Sequence, residues 1–345
     1  MRKLEPRLMA LHIGSMPHTD PVHAVQRVLE ALPDIPAWPQ LPRRSFRENM
    51  YVQFSEGFPG VVIEDEKIYV DRARDLTPEL ERLYTAYIEE DPEFAAISRE
   101  HALGFYQFIE TVATLPQPPA AVKGQVTGPV SWGLTVTDRD GWSVLYDEVL
   151  AEALAKHLGM KAAWQERELR KLSPNTIIFL DEPYMASFGS AYVAVGREQA
   201  QMLLEEALSA IQGVRGIHCC GNTDWSLLLE TPVDILSLDA YGYAEALALY
   251  PEEVHAFLDR GGIIAWGIVP TSKDVMQETT ASLVDRLHAA MNLLVRKGIP
   301  FEKVLSASLI TPSCGTGTLS PDLAERVFTL TAEVSAEMRR RYGTE

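Results

Sequence analysis

Three side chains in this sequence have the chemistry of zinc ligands. His218 and Cys220 stand two apart at the end of the apolar run Val-Arg-Gly-Ile-His-Cys-Cys-Gly-Asn (214–222), and Cys314 follows a second such run in Ile-Thr-Pro-Ser-Cys-Gly-Thr-Gly (310–317). Alternation along a strand sends His218 and Cys220 to one face and Cys219 to the other, so Cys219 is assigned to packing against helices. Imidazole nitrogen and thiolate sulfur are the donors that Zn2+ prefers, and a strand-end pair needs one or two more from elsewhere to close a tetrahedron. With only three soft ligands, the fourth position is an oxygen ligand or stays open, which is the pattern of a catalytic rather than a structural zinc. Asp239, at the end of another apolar run, is the candidate labile fourth ligand and so belongs to the same catalytic group. Taken singly, the three residues read as two small buried thiols and a core histidine; their joint placement is what argues for a metal.

Other residues at apparent strand ends extend the site. Asp181-Glu182-Pro183 closes a strongly apolar run and places a carboxylate, Asp181, where it can fix an amine or another polar substrate group; the competing role is a helix-capping acid. Ile13-Gly14-Ser15 offers backbone N–H groups at Gly14 and a hydroxyl at Ser15 where the chain turns into a helix, which suits a carboxylate or other anion. Thr127 ends Gly-Gln-Val-Thr, and Trp132 beside it, with Trp266, is expected to wall a flat ligand. His12 and His18 lack spacing partners and are read as packing or surface residues.

These residues need a scaffold that gathers strand ends. Apolar runs at 8–13, 37–41, 121–126, 176–180, 214–219, 233–238, 262–268 and 304–310 read as strands, and amphipathic helices separate them. The second is the weakest, bracketed by Pro36, Pro39 and Pro42. Residues 60–71 read as a hairpin, and helices at about 77–90 and 95–113 complete an insertion of roughly 55–118 after strand two. Eight strand–helix units predict an α/β fold, a (β/α)8 TIM barrel forming a single domain over residues 1–345. An open doubly wound sheet is the alternative, weakened by the lack of Gly-x-Gly-x-x-Gly after the first strand. In a barrel the chemistry sits at the C-terminal ends of the strands, where every residue named above falls.

Composition narrows the partners. A net charge of −17, with 31 basic and 48 acidic residues, disfavours nucleic acid, and the one basic cluster is Arg339–Arg341. Three cysteines make no disulfide framework in a chain this long, and no leader-like segment precedes the first strand, so a cytoplasmic location is expected. No apolar run approaches the ~20 residues that cross a bilayer, so no membrane partner is expected.

The quoted motifs, with Lys-Gly-Gln-Val-Thr-Gly-Pro (123–129) and Pro-Ser-Cys-Gly (312–315), resemble the uroporphyrinogen decarboxylase/methionine synthase superfamily over nearly the whole chain. Within it they are similar to the catalytic barrel of cobalamin-independent methionine synthases and to zinc-dependent corrinoid methyltransferases. The resemblance implies zinc at His218, Cys220 and Cys314, with Asp239 where the methionine synthases place a glutamate. It implies Ser15 for the carboxylate of homocysteine and Asp181 for its amine. A further substrate-binding glutamate of the family falls near Arg43 or Arg44, neither of them acidic; the basic loop, Arg44 included, is expected to meet an anionic substrate group instead. The long members' additional folate-assisting barrel has no counterpart here, so the resemblance implies a methylated corrinoid, on methylcobalamin or a corrinoid protein, as donor. The expected activity is a thiol S-methyltransferase: a small-molecule thiol such as homocysteine, activated on zinc, accepts the methyl group. A metal-free decarboxylase of the same fold, and a corrinoid- or zinc-binding accessory protein without turnover, are the alternatives.

Overall fold

The computed structural model describes residues 4–190 and 193–343. Its strands are β1 (Val61–Glu64), β2 (Lys67–Val70), β3 (Val122–Thr127), β4 (Thr137–Asp138), β5 (Thr176–Asp181), β6 (Val214–Cys219), β7 (Ile235–Leu238), β8 (Ile263–Val269) and β9 (Ser308–Pro312). Six of these make one parallel sheet in the order β3-β5-β6-β7-β8-β9. Helices such as Glu148–Leu169, Arg197–Ser209, Thr280–Val295 and Pro321–Tyr342 connect or follow its strands. The architecture is barrel-like and related to the TIM barrel.

Alternation sorts the side chains of this sheet into two cores. Val122, Val126, Ile178, Leu180, Ile217, Cys219, Leu236, Leu238, Ile264 and Ile310 join the helices in the larger cluster. Ala121, Ile177, Phe179, Ile235, Ile263, Ala265 and Leu309 form a separate inner cluster with Met9 and Leu11. Apolar residues on both faces are what a parallel sheet covered by helices requires. Lys123, Gln125, Thr127 and Asp181 continue the inner-face phase of Ala121 and Ile177, so polar groups succeed apolar ones toward the C-terminal end of the sheet.

The two N-terminal segments expected as strands, 8–13 and 37–41, are held by isolated parallel bridges instead: Ala10 to Ile310, Ala37 to Lys123, and Ser15 to Gln40. Pro36 and Pro39 carry no N–H donor, and Leu8 sits at φ 56°, so neither segment sustains a ladder. Side chains do the stitching. Trp38 Nε1 donates to Gln165 Oε1 (2.9 Å), Gln165 Nε2 to Gln125 O (3.1 Å), and Gln125 Nε2 back to Trp38 O (3.1 Å). Gln40 Nε2 donates to Gln53 Oε1 (2.7 Å), and Gln53 Nε2 to His101 O (2.6 Å). These residues are buried, so each amide partner satisfies a group that water does not reach.

Three other expectations shift. The run 304–310 is helical through Ser306 and extended only from Ser308. The helix expected at 95–113 begins at Leu103. The hairpin forms as predicted, β1 antiparallel to β2, and β2 also pairs with β4 in the segment after β3. That pairing lays the insertion beside the C-terminal ends of the sheet.

Candidate metal centre

His218 lies on the inner face of β6, in register with Asp181 of β5 and Ser237 of β7. Its Nδ1 is hydrogen-bonded to Ser237 Oγ at 3.0 Å, while its Nε2 is buried with no hydrogen-bond partner among the described residues. Ser237 therefore fixes the ring and leaves Nε2 free to coordinate. The ring comes together with the two thiols expected from the sequence. Single ligand atoms of His218, Cys220 and Cys314 all lie within 4.8 Å of one another. The hydrogen bond from the Cys314 thiol, helped by His218 and opposed by burial, pulls Cys220 down to about 4. The same hydrogen bond to Cys220, with burial, pushes the Cys314 thiol up. An orphaned buried imidazole nitrogen and two thiols that share a hydrogen bond fit Zn2+, which would take the place of the shared proton and engage all three donors. Cys219 faces the helices, as expected, and burial raises its thiol to about 12.

The acids beside the centre divide the work. Asp181 is buried, its Oδ1 has no partner, and burial raises it to about 6 against the opposing charges of Lys123 and His218. Glu182 has turned away. It accepts from Val130 N (3.0 Å), Ser131 N (2.7 Å) and Ser131 Oγ (2.6 Å), capping the helix Pro129–Thr135 across the fold. Gly128 is what allows this, because a Cβ there would lie 2.1 Å from Glu182 Oε1. Asp239 is only partly buried and accepts from Gly242 N at 2.8 Å as the N-cap of Ala240–Leu247. It stands outside the close group of His218, Cys220 and Cys314 but within their electrostatic reach.

The turn at Gly14–Ser15 sits directly against the Cys314 loop. Thr316 donates to Ser15 O through both N and Oγ1, each at 2.9 Å, and Gly317 N donates to Ser15 Oγ at 3.3 Å. Gly14 adopts φ 145°, and a Cβ would lie 2.7 Å from Gln125 and Gln40, so only glycine fits. The Gly14 and Ser15 N–H groups donate to no acceptor among the described residues. Ser15, Gln40, Pro42, Arg43, Glu48, Asn49, Met50, Gly317 and Thr318 line an adjoining cavity of about 460 Å3.

Other expected site residues have structural duties. Thr127 Oγ1 donates to Met50 O at 2.7 Å and secures the loop over the sheet. Trp132, expected to wall a ligand, is fully buried, donates through Nε1 to Tyr51 O (2.7 Å) and packs edge-on against Phe58. Trp266 is likewise buried and bonded to Ser308 Oγ (2.9 Å). An indole inside the sheet–helix layer cannot face a ligand. Arg44 pairs with the buried Glu48 rather than standing free, and Arg43 donates to the Gly317 and Thr318 carbonyls (3.1 and 2.8 Å). Sequence reasoning missed Glu48, Tyr51 and Lys123. Tyr51 lies within electrostatic reach of Cys220 and Glu182, but nothing in its local spacing signals that. A lysine and a glutamine alternating in an apolar strand, Lys123 and Gln125, were the available signal for an inward polar layer.

Neither a family model nor a curated protein matches the sequence. Solved structures do match in fold. A B12-independent methionine synthase from Shewanella sp. W3-18-1, in complex with selenomethionine, superposes with a TM-score of 0.61 at 18% identity, covering 98% of this chain and 99% of that one. A methyltransferase from Methanosarcina mazei gives a TM-score of 0.57 at 13% identity, over 95% of this chain and 87% of that one. At these identities the likeness establishes a shared fold.

Proposed function

We propose that this chain is a zinc-dependent S-methyltransferase whose acceptor is a small thiol carrying a carboxylate and an amine, homocysteine being the first to test. The observation that carries the reading is the gathering of His218, whose buried Nε2 has no partner among the described residues, with Cys220 and Cys314. The finer fold reading goes with it: segments 8–15 and 37–40 stand in for strands one and two of a closed (β/α)8 ring. Two structures of like fold named as a methionine synthase and a methyltransferase support the reaction class.

Zinc, when bound, supplies the stabilisation that makes a thiol a thiolate nucleophile at neutral pH. The chain's own groups do the rest. Ser237 holds the His218 ring in place, and the Gly14 and Ser15 N–H groups receive the acceptor carboxylate. Asp181, with its unpartnered Oδ1, takes the amine. Asp239 is committed to its helix cap, so His218, Cys220 and Cys314 are the residues that would hold the metal and the acceptor thiol would meet it without competition from Asp239. Fixing the acceptor at three points lowers the barrier through orientation, an effect worth several kcal/mol. The donor proposed, on the resemblance to the shorter members of the superfamily, is a methylated corrinoid presented at the mouth.

The test is zinc stoichiometry together with X-ray absorption at the zinc edge, with and without homocysteine and a panel of other thiols. One zinc per chain that gains a sulfur neighbour with a particular thiol supports the reading and names the acceptor. A chain without zinc, or a zinc unmoved by every thiol, overturns it. Methylcobalamin and a methylated folate, compared as donors to the identified thiol, then decide the donor class.

A further inference from the structure

Lys123 is a charged side chain that the proposed chemistry does not use, yet it is fully buried in the inner face of β3. Burying an ammonium is expensive unless it is paired and hydrogen-bonded. Its Nζ donates to the Ile13 carbonyl at 2.6 Å and to Gln125 Oε1 at 3.0 Å, and it stands 4.5 Å from the centroid of the Phe179 ring. Asp181 is the carboxylate that answers its charge.

The bond to Ile13 has a stereochemical consequence. In a trans peptide the C=O and the following N–H point in opposite directions, so pinning the Ile13 carbonyl fixes the direction of the Gly14 N–H. The next peptide is pinned in the same way, because Gln40 N donates to Gly14 O at 3.0 Å and thereby sets the Ser15 N–H. Both N–H groups lack an acceptor among the described residues, and Gly14 is held at a φ that no other residue adopts comfortably. The segment has no continuous ladder to hold it: its strand pairing among the described residues consists of isolated bridges, so side-chain bonds such as that from Lys123 carry more of its orientation.

We propose that Lys123 is a positioning residue for the acceptor: through the Ile13 carbonyl it orients the Gly14–Ser15 turn so that its two N–H groups receive the acceptor's carboxylate. The proposal rests on the thiol-acceptor reading and adds to it the group that pre-organises one end of the acceptor site. Lys123 itself touches neither acceptor nor metal ligands.

The test compares homocysteine with 3-aminopropanethiol, which keeps the thiol and amine and lacks the carboxylate. Each is titrated into zinc-loaded wild type and Lys123→Met, and the gain of a sulfur neighbour at the zinc edge gives the affinity. Zinc content and thermal midpoint are measured on the same samples. Losing the charge-assisted bond that fixes the turn weakens homocysteine binding by about tenfold or more. 3-Aminopropanethiol shares any loss at Asp181, which also gives up the opposing charge of Lys123, so the reading is the ratio: homocysteine loses about tenfold more affinity than 3-aminopropanethiol. Lys123→Gln leaves a polar group in the strand that is too short to reach Ile13, and it carries the same selective loss if Lys123→Met does not fold. Equal loss for both thiols, or no loss for either, overturns the positioning role while leaving the acceptor reading intact. A wild-type zinc that gains sulfur from neither thiol overturns both.

Discussion

Ser237 and Asp239 sit two residues apart on the same strand end, and the structure gives them different duties. Ser237 bonds His218 Nδ1, so its loss frees the ring to rotate without removing a ligand. Ser237→Ala is expected to weaken zinc affinity by roughly tenfold, measured by competition with a chromogenic chelator. A variant with unchanged affinity would mean that packing alone orients the ring. Asp239 caps Ala240–Leu247, a role asparagine fills as well as aspartate. Asp239→Asn should leave the zinc-edge spectrum and the stability unchanged, whereas Asp239→Ala costs about 1 kcal/mol in urea unfolding. Loss of an oxygen neighbour at the zinc edge in Asp239→Asn would instead make it a ligand. The three soft donors were legible from the sequence because His and Cys carry their chemistry in their type. Asp239 was less so, since the same carboxylate at a strand end suits a cap and a metal equally. Trp132 was misplaced for a related reason: adjacency to Thr127 in sequence says nothing about which side of a short helix an indole takes.

In the six-stranded sheet, β3 and β5 to β8 announced themselves as apolar runs, whereas the run at 304–310 reached only the start of β9. The segments at 8–13 and 37–41 did not become strands, because what holds them is a set of glutamine and tryptophan side chains far apart in sequence. Two buried histidines join that stitching. His12 Nε2 bonds Ala37 O (3.0 Å) across the two segments, and His157 Nε2 bonds Phe54 O (2.8 Å), tying the insertion to the helix Glu148–Leu169. Burial lowers both to about 3, with Lys123 and Lys161 respectively adding to the effect. An unfolded imidazole takes up its proton near pH 6.5, while these folded rings stay neutral down to about pH 3. The unfolded chain therefore binds more protons in that window, and their contribution is complete above pH 6.5 and lost as pH falls toward 3. Below pH 6.5 each histidine adds a stability slope of roughly 1.4 kcal/mol per pH unit. His157→Gln should remove one such increment from the urea-unfolding slope between pH 6.5 and 5. A slope identical to wild type would show that the acid sensitivity arises elsewhere.

At the scale of the whole molecule, the barrel-like plan was readable because eight apolar runs alternate with helices. The hairpin's pairing with β4 was not, since it joins residues 69 and 137, and no local pattern encodes it. The candidate metal ligands follow the same logic of distance. His218 and Cys220 come from β6 and its end, while Cys314 follows β9, and β7 and β8 lie between them in the sheet. The Cys314 loop is also bonded to Ser15, whose segment reaches the sheet through isolated bridges. A metal holding these three ligands therefore ties a well-laddered part of the sheet to its weakest edge, across a separation of 94 residues between Cys220 and Cys314 (314 − 220). A ligand that binds the folded chain and not the unfolded one stabilises by mass action, by about 4 kcal/mol when free zinc exceeds its dissociation constant a thousandfold. For a chain of this size that corresponds to a fall of about 5 °C in the thermal midpoint on removing the metal. Calorimetry before and after dialysis against a chelator should show that fall, reversed by zinc and not by magnesium, which prefers oxygen donors. Hydrogen exchange on the same two samples locates the effect. The amides of Leu11, Trp38 and Gln40 should lose protection on chelation while those of β5 and β6 keep theirs, because the former depend on the edge that the metal braces. Uniform loss across the sheet would mean that the metal stabilises the fold as one unit, and no loss at all would mean that the three ligands serve chemistry without contributing to the frame.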